Sequence, residues 1–280
     1  MREISVNQIR DIIAQMVMKI NVVYPDDIQT CMQQAAETET HPIAQSTLQF
    51  LLKNAAIAEE EKLPICQDTG MAIVFLNIGQ DVHFVDGSLS KAVNEGVALG
   101  YQKGYLRKSV VQDPLFDRIN TKDNTPAILY TNIIEGEHVE ILVGAKGFGS
   151  ENMSTITMLK PAQGIQGVKE TVINAIRQAG PNACPPMVVG VGIGGTFDYA
   201  AMLAKKATLR ADLHNPDPRY AQLEDELLAE ANKLGIGPQG MGGNTTVFRI
   251  NVEQFPTHIA GLPCAVNISC HVTRHAKEVL

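Results

Sequence analysis

The sequence predicts a mixed α/β (α+β) protein, with a helical N-terminal region followed by mixed sheets flanked by helices. Three observations predict it. Apolar residues recur at helical spacing near the N-terminus. Compact β-rich runs such as MAIVFLNI, MVVGVGI and PCAVNIS punctuate the remainder. Amphipathic stretches with helix start and stop signals lie between those runs. A chain of 280 residues can bury a large core. We read it as a single domain over 1–280, with a helical region to about residue 62 packed on an α/β region from about residue 63.

The elements follow in order. Ile4, Ile9, Ile12, Ile13, Met16, Val17 and Ile20 form one helical stripe around Ser5, a suitable N-cap. Pro25 and Asp26 open a second helix, and Pro42 a third that runs to about Lys62. After the ICQDTG loop come strands at MAIVFLNI and DVHFV, then a helix from about Ser88 to Tyr105. AILYTNII and HVEILVGA, joined by EGE, predict a β-hairpin, which ends in the glycine-rich loop AKGFGSEN. A helix over 164–179 leads through GPNACPP to the strand MVVGVGI and a further helix from about 197. DPRYAQLEDELLAEANKLG is amphipathic, with Pro218 in its first turn and Gly235 as its stop. The loop IGPQGMGGNT and the strands TVFRINVE and PCAVNIS complete the chain.

Charge and hydropathy narrow the function. The net charge of −7 is dispersed, with no basic stripe of the kind nucleic acid requires, so no nucleic-acid partner is expected. No run of 18 apolar residues is present, so no membrane span is expected. MREISVNQIRDIIAQ lacks the order of a signal peptide, which places the protein in the cytoplasm. Cys31, Cys66, Cys184, Cys264 and Cys270 make an odd, widely spaced set, more in keeping with buried, catalytic or metal-bound thiols than with disulfides.

Cys31 in a helix and Cys264 after Pro263 read as small core residues. Cys66, Cys184 and Cys270 sit at loops or strand ends, where a rigid scaffold commonly holds functional groups. For these three, core residue and ligand both remain open. Their spacing, without a C-x-x-C pair, fits neither a zinc finger nor a ferredoxin, so only the fold could gather them. Three thiolates on a four-iron cubane would leave one iron open as a Lewis acid.

Gly190, Gly192 and Gly195 formally match G-x-G-x-x-G, and Asp212 lies at about the distance of the acid in dinucleotide folds. However, LRADLHNPDP resembles a helix end and a proline-broken loop, not a strand. A tight strand-to-helix turn, with amides turned to an anionic group, is therefore preferred over an NAD-binding oxidoreductase subunit. A lone histidine such as His258 is usually structural. Arg107 reads as a surface charge, or as a bidentate clamp if a carboxylate lies near.

Taken together, ICQDTG (65–70), RKSVV (107–111), GFGSEN (147–152), NACPP (182–186), GVGIGGT (190–196), GIGPQGMGGNT (235–245), THIAGLP (257–263) and NISC…R (267–274) resemble one family. It is the α subunit, or N-terminal half, of the iron–sulfur-dependent class I fumarate hydratases and L-tartrate dehydratases. The resemblance implies that Cys66, Cys184 and Cys270 ligate a [4Fe-4S] cluster. It also implies that Gln67 and Asp68 face the open iron, with Asp68 handling the proton of the hydroxyl, and that Arg107, Gly149 and His258 hold a small dicarboxylate substrate. The family's threonine base and further substrate-binding Arg and Lys residues have no counterpart here. Either a β subunit supplies them, in an α2β2-type assembly or around a homodimer of α, or the chain is a fragment. His-Val-Thr-Arg follows Cys270 where many relatives carry a Trp, while Arg274 matches. GSEN resembles the fumarase branch, so the expected reaction is hydration of fumarate to (S)-malate. L-tartrate dehydratase or a mesaconate-type hydratase is the alternative.

Overall fold

The computed structural model describes all 280 residues. Its strands are β1 (Arg2–Ser5), β2 (Met71–Gly79), β3 (Val82–Val85), β4 (Ile128–Ile134), β5 (Val139–Lys146), β6 (Thr155–Leu159), β7 (Met187–Gly195), β8 (Val247–Thr257), β9 (Leu262–Ser269) and β10 (His275–Val279). Its α-helices are α1 (Val6–Val22), α2 (Asp26–Thr38), α3 (Pro42–Glu61), α4 (Leu89–Lys103), α5 (Phe148–Glu151), α6 (Gly164–Ala179), α7 (Phe197–Ala207) and α8 (Pro218–Asn232). The mixed α/β class is as expected, and Ser5 caps α1 by accepting the Asn7 N–H. β1, β6 and β10 escape the sequence pattern because each is only four or five residues long.

The chain forms two compact units: Met1–Pro25, Ala55–Gly147 and Arg274–Leu280 make one, and Asp26–Asn54 with Phe148–Thr273 the other. Each unit includes part of the N-terminal helical region: α1 lies in the first, and α2 with most of α3 in the second.

The first unit holds a four-stranded sheet ordered β10-β5-β2-β4 and a two-stranded sheet β1-β3. Ile9, Ile13, Val17 and Ile20 of α1 and Val93 and Val97 of α4 share its core with Val74, Leu76, Ile141 and Val143 of the sheet. The expected hairpin does not form. β4 and β5 are both present, but β2 lies between them, parallel to β4 and antiparallel to β5. The reason is burial. Ala72 to Leu76 are buried in succession, so β2 belongs at the centre, whereas the largely exposed β4 suits an edge. The Glu135–His138 turn instead arches over the end of β2, where Gly79 donates to the His138 carbonyl at 2.8 Å and Gln80 to that of Ile134 at 2.8 Å. A Cβ on Gly79 would lie 2.4 Å from the Gly136 oxygen, so this crossing requires glycine.

The second unit is built on a sheet ordered β6-β9-β7-β8, with β7 parallel to β8 and antiparallel to β9. Val172 and Ile176 of α6 and Leu223 and Leu227 of α8 pack on Val189, Val191, Ile250, Val252, Val266 and Ile268. The glycine pattern of β7 now has a packing explanation. A Cβ on Gly190 would lie 2.1 Å from the Ala204 oxygen, and one on Gly192 2.0 Å from the Ala200 oxygen, so both let α7 lie directly on the strand. Asp212 ends no strand; it lies in the bend after α7, where its carbonyl accepts from Arg249 and Arg210. Gly192→Ala is therefore expected to cost about 3 kcal/mol or more, because the clash is with backbone on both sides. A thermal melt checks this, and an unchanged midpoint would refute the packing role.

Candidate active site

The Ile65–Gly70 loop joins α3 to β2 in the first unit, and its backbone is pinned along its length. Ile65 donates to the Asn21 carbonyl at 2.9 Å. Cys66 is half-buried; its Sγ accepts the Asp68 N–H at 3.4 Å and its S–H reaches Gln67 Oε1 at 3.4 Å. Asp68 Oδ1 in turn accepts the Gly70 N–H at 2.9 Å, a side-chain turn that aims the carboxylate. Gly70 has φ +75°, and a Cβ there would lie 2.8 Å from the Lys146 nitrogen, so the final residue of ICQDTG must be glycine.

Buried polar groups tie this loop to Arg107. Thr69 Oγ1 donates to the Arg107 carbonyl at 2.9 Å. Tyr101 Oη lies 2.7 Å from the Thr69 carbonyl and 2.8 Å from that of Gly70, and burial pushes its phenol up, so it stays a donor. Asn124 Nδ2 donates to the Gly70 carbonyl at 3.1 Å, while its Oδ1 accepts Ser109 N–H at 2.7 Å and Val110 N–H at 3.2 Å. The fold thereby brings together Cys66, Gln67, Asp68 and Arg107, with the Gln67 and Arg107 side chains exposed. Sequence reasoning missed Tyr101 and Asn124, since a tyrosine in an amphipathic helix and an asparagine in TKDNTP read as ordinary core and turn residues.

The second unit holds the other predicted residues. Cys184 ends a short 3-10 turn (Gly180–Ala183) in the left-handed region at φ 50°, with its thiol exposed. The Pro185 carbonyl beside it accepts both the backbone N–H of Gln239 at 2.8 Å and its Nε2 at 2.9 Å. The GPQG loop is thus a clamp on NACPP, a role its sequence did not disclose. The Cys184 carbonyl accepts the His271 N–H at 3.2 Å, which brings Cys184 and Cys270 onto adjoining backbone. Cys270 follows β9, and its carbonyl accepts Thr273 Oγ1 at 2.8 Å. Gly149 is exposed in α5, and nothing lies within 4 Å of where a Cβ would stand. His258 is exposed between β8 and β9; its Nδ1 accepts the Ala260 N–H at 3.2 Å, so its neutral form carries the proton on Nε2.

No three His, Cys, Asp or Glu side chains are grouped to hold a single metal ion. The thiols nevertheless divide by environment. None of the five is in a disulfide, and burial pushes Cys264 up to about 12 and also raises Cys31, the two that the sequence reads as core. In metal-free protein at pH 8, the buried Cys264 should react with iodoacetamide far more slowly than the exposed Cys184. Its rate should rise roughly tenfold per pH unit, because only the thiolate attacks. Peptide mass spectrometry reads this directly; Cys264 labelling as fast as Cys184 would refute the assignment.

Comparison with known proteins adds the identity. The family model described as fumarate hydratase (Fumerase) matches residues 10–279. A Methanocaldococcus jannaschii protein, provisionally assigned as an L(+)-tartrate dehydratase subunit alpha, is 38% identical over 276 residues, 96% of each chain. The L(+)-tartrate dehydratase subunit alpha of Escherichia coli K12 is 32% identical over 275 residues, covering 96% of this chain and 90% of that one. The fold and these similarities define an enzyme of the hydro-lyase class. The chain belongs to the fumarate hydratase family.

Proposed function

We propose that this chain acts as a single catalytic domain, the α subunit of a two-subunit [4Fe-4S] hydro-lyase that interconverts fumarate and (S)-malate. The observation that carries the reading is the pinned Ile65–Gly70 loop, which sets a half-buried thiol and a carboxylate two residues apart in a chain of this family. Cys66, Cys184 and Cys270 would hold the cluster. Their chemistry suits it: none is in a disulfide, each is at least partly exposed at a loop or strand end, and Cys66 Sγ already accepts an N–H, as thiolate ligands do. When bound, the cluster supplies a Lewis-acidic iron that polarises the substrate hydroxyl.

The remaining work falls to side chains. Asp68 takes and returns the proton of that hydroxyl, and Gln67 donates a hydrogen bond beside it. Arg107 clamps one substrate carboxylate bidentately, and His258 Nε2–H and the Gly149 backbone N–H donate to the dicarboxylate. A β subunit supplies the base at carbon and completes the site; the relatives' designation as alpha subunits supports such a partner. Cysteines outside any disulfide suit a reducing compartment, and we place the protein in the cytoplasm.

The names of the relatives favour a second reading, L(+)-tartrate as substrate. Co-expressed α and β chains, purified anaerobically and assayed against fumarate, mesaconate and L-tartrate, decide between them. Turnover of fumarate supports the proposal, and an iron-loaded complex that turns over only tartrate overturns it.

A further inference from the structure

We propose that Arg274 is a positioning residue for the Cys66–Asp68 loop, holding the cluster thiol and the proton-transferring carboxylate in register through the backbone of Asp68. The inference rests on the roles proposed above for Cys66 and Asp68.

Arg274 is 2% exposed and among the largest fully buried side chains in the protein. A guanidinium is taken out of water only where its donors are used. Here they reach three separate segments. Nε donates to the Ala145 carbonyl at the end of β5, at 3.2 Å. Nη1 donates to Asn21 Oδ1 on α1 at 2.9 Å and to the Asp68 carbonyl at 2.8 Å. Asn21 is itself fully buried and oriented by its Nδ2 bond to the Val17 carbonyl at 2.9 Å, so its oxygen is aimed at the guanidinium. Asn21 also takes the Ile65 N–H on its backbone carbonyl. One arginine and one asparagine therefore hold the loop on both sides of Cys66.

Gly147 marks where this matters. A Cβ there would lie 3.2 Å from Asp68 Oδ2 and 3.7 Å from Arg274 Nη2, so carboxylate and guanidinium border the same small space. Releasing the Asp68 carbonyl would let the peptide turn, and that peptide's neighbouring N–H is the one on Cys66 Sγ. Lysine cannot replace the fork, because its three N–H sit on one nitrogen whereas the guanidinium donates from both Nε and Nη1.

The test uses Arg274→Lys and Arg274→Gln, with Asn21→Ala as a milder variant that removes one anchor should either fail to fold. Arg249→Lys, at a buried arginine paired with Asp27 in the other unit, is the stability control. In metal-free chain, the amide hydrogens of residues 66–70 should exchange with deuterium about tenfold faster while those flanking Cys184 stay unchanged, as expected for loss of one hydrogen bond to a charged group. In the loaded α–β complex, kcat should fall about 10²-fold with KM within about twofold, as for a misplaced catalytic group. The exchange arm needs neither iron nor substrate, so it answers even if the hydro-lyase reading fails. An unchanged amide-exchange rate across residues 66–70 in folded variants overturns the proposal. So does equal acceleration around Cys184, or the same kcat loss in Arg249→Lys.

Discussion

Cys66→Ser is expected to lose iron and activity together while the chain keeps its fold. A serine hydroxyl is a hard, neutral donor where the site needs a soft thiolate. Turnover should fall to background, a loss of at least about 10⁴-fold given the size of enzymatic rate enhancements. The fold should survive because Cys66 makes only two weak sulfur contacts, each at 3.4 Å. Asn21, Tyr101, Asn124 and Arg274 hold the loop through its backbone instead. Anaerobic reconstitution followed by iron, sulfide and circular dichroism measurements checks this. A serine variant with full iron and normal turnover would show that Cys66 is no ligand.

Asp68→Asn should have the opposite signature, with iron kept and kcat reduced by about 10²–10⁴-fold, the usual worth of a positioned proton-transfer group. The amide is isosteric, and its oxygen can still accept the Gly70 N–H that shapes the turn. The groups proposed to bind substrate, Gln67, Arg107 and His258, are untouched, so KM should move little. An active Asp68→Asn enzyme with intact iron would remove proton transfer from this residue. The pair of variants separates holding the cluster from using it.

The loops were legible in the sequence because each consists of residue types that only special backbone tolerates. Gly70 at positive φ and the Pro185–Pro186 pair after Cys184 leave local signatures that survive without tertiary context. Helices with caps and long apolar faces, such as α1 and α8, were legible for the same reason. The β4–β5 hairpin was misread because strand order depends on which strand is buried on both faces, and that is settled by competition with β2. The glycine motif was ambiguous because a nucleotide-binding turn and a close helix approach both need the absence of a Cβ. Only the position of α7 distinguishes them.

The sequence by itself determined the class of fold, most element positions and the short motifs that resemble a known family. Tertiary structure alone decided what holds those motifs in place. Asn21, Tyr101, Asn124, Gln239 and Arg274 lie far along the chain from some of the loops they fix, and their types fit a helix face, a turn or a surface equally well. What gives them a role is burial, complete for Asn21, Tyr101, Asn124 and Arg274 and partial for Gln239. A polar group removed from water must find a partner, and in this fold the partners are the backbone carbonyls of Asp68, Thr69, Gly70 and Pro185.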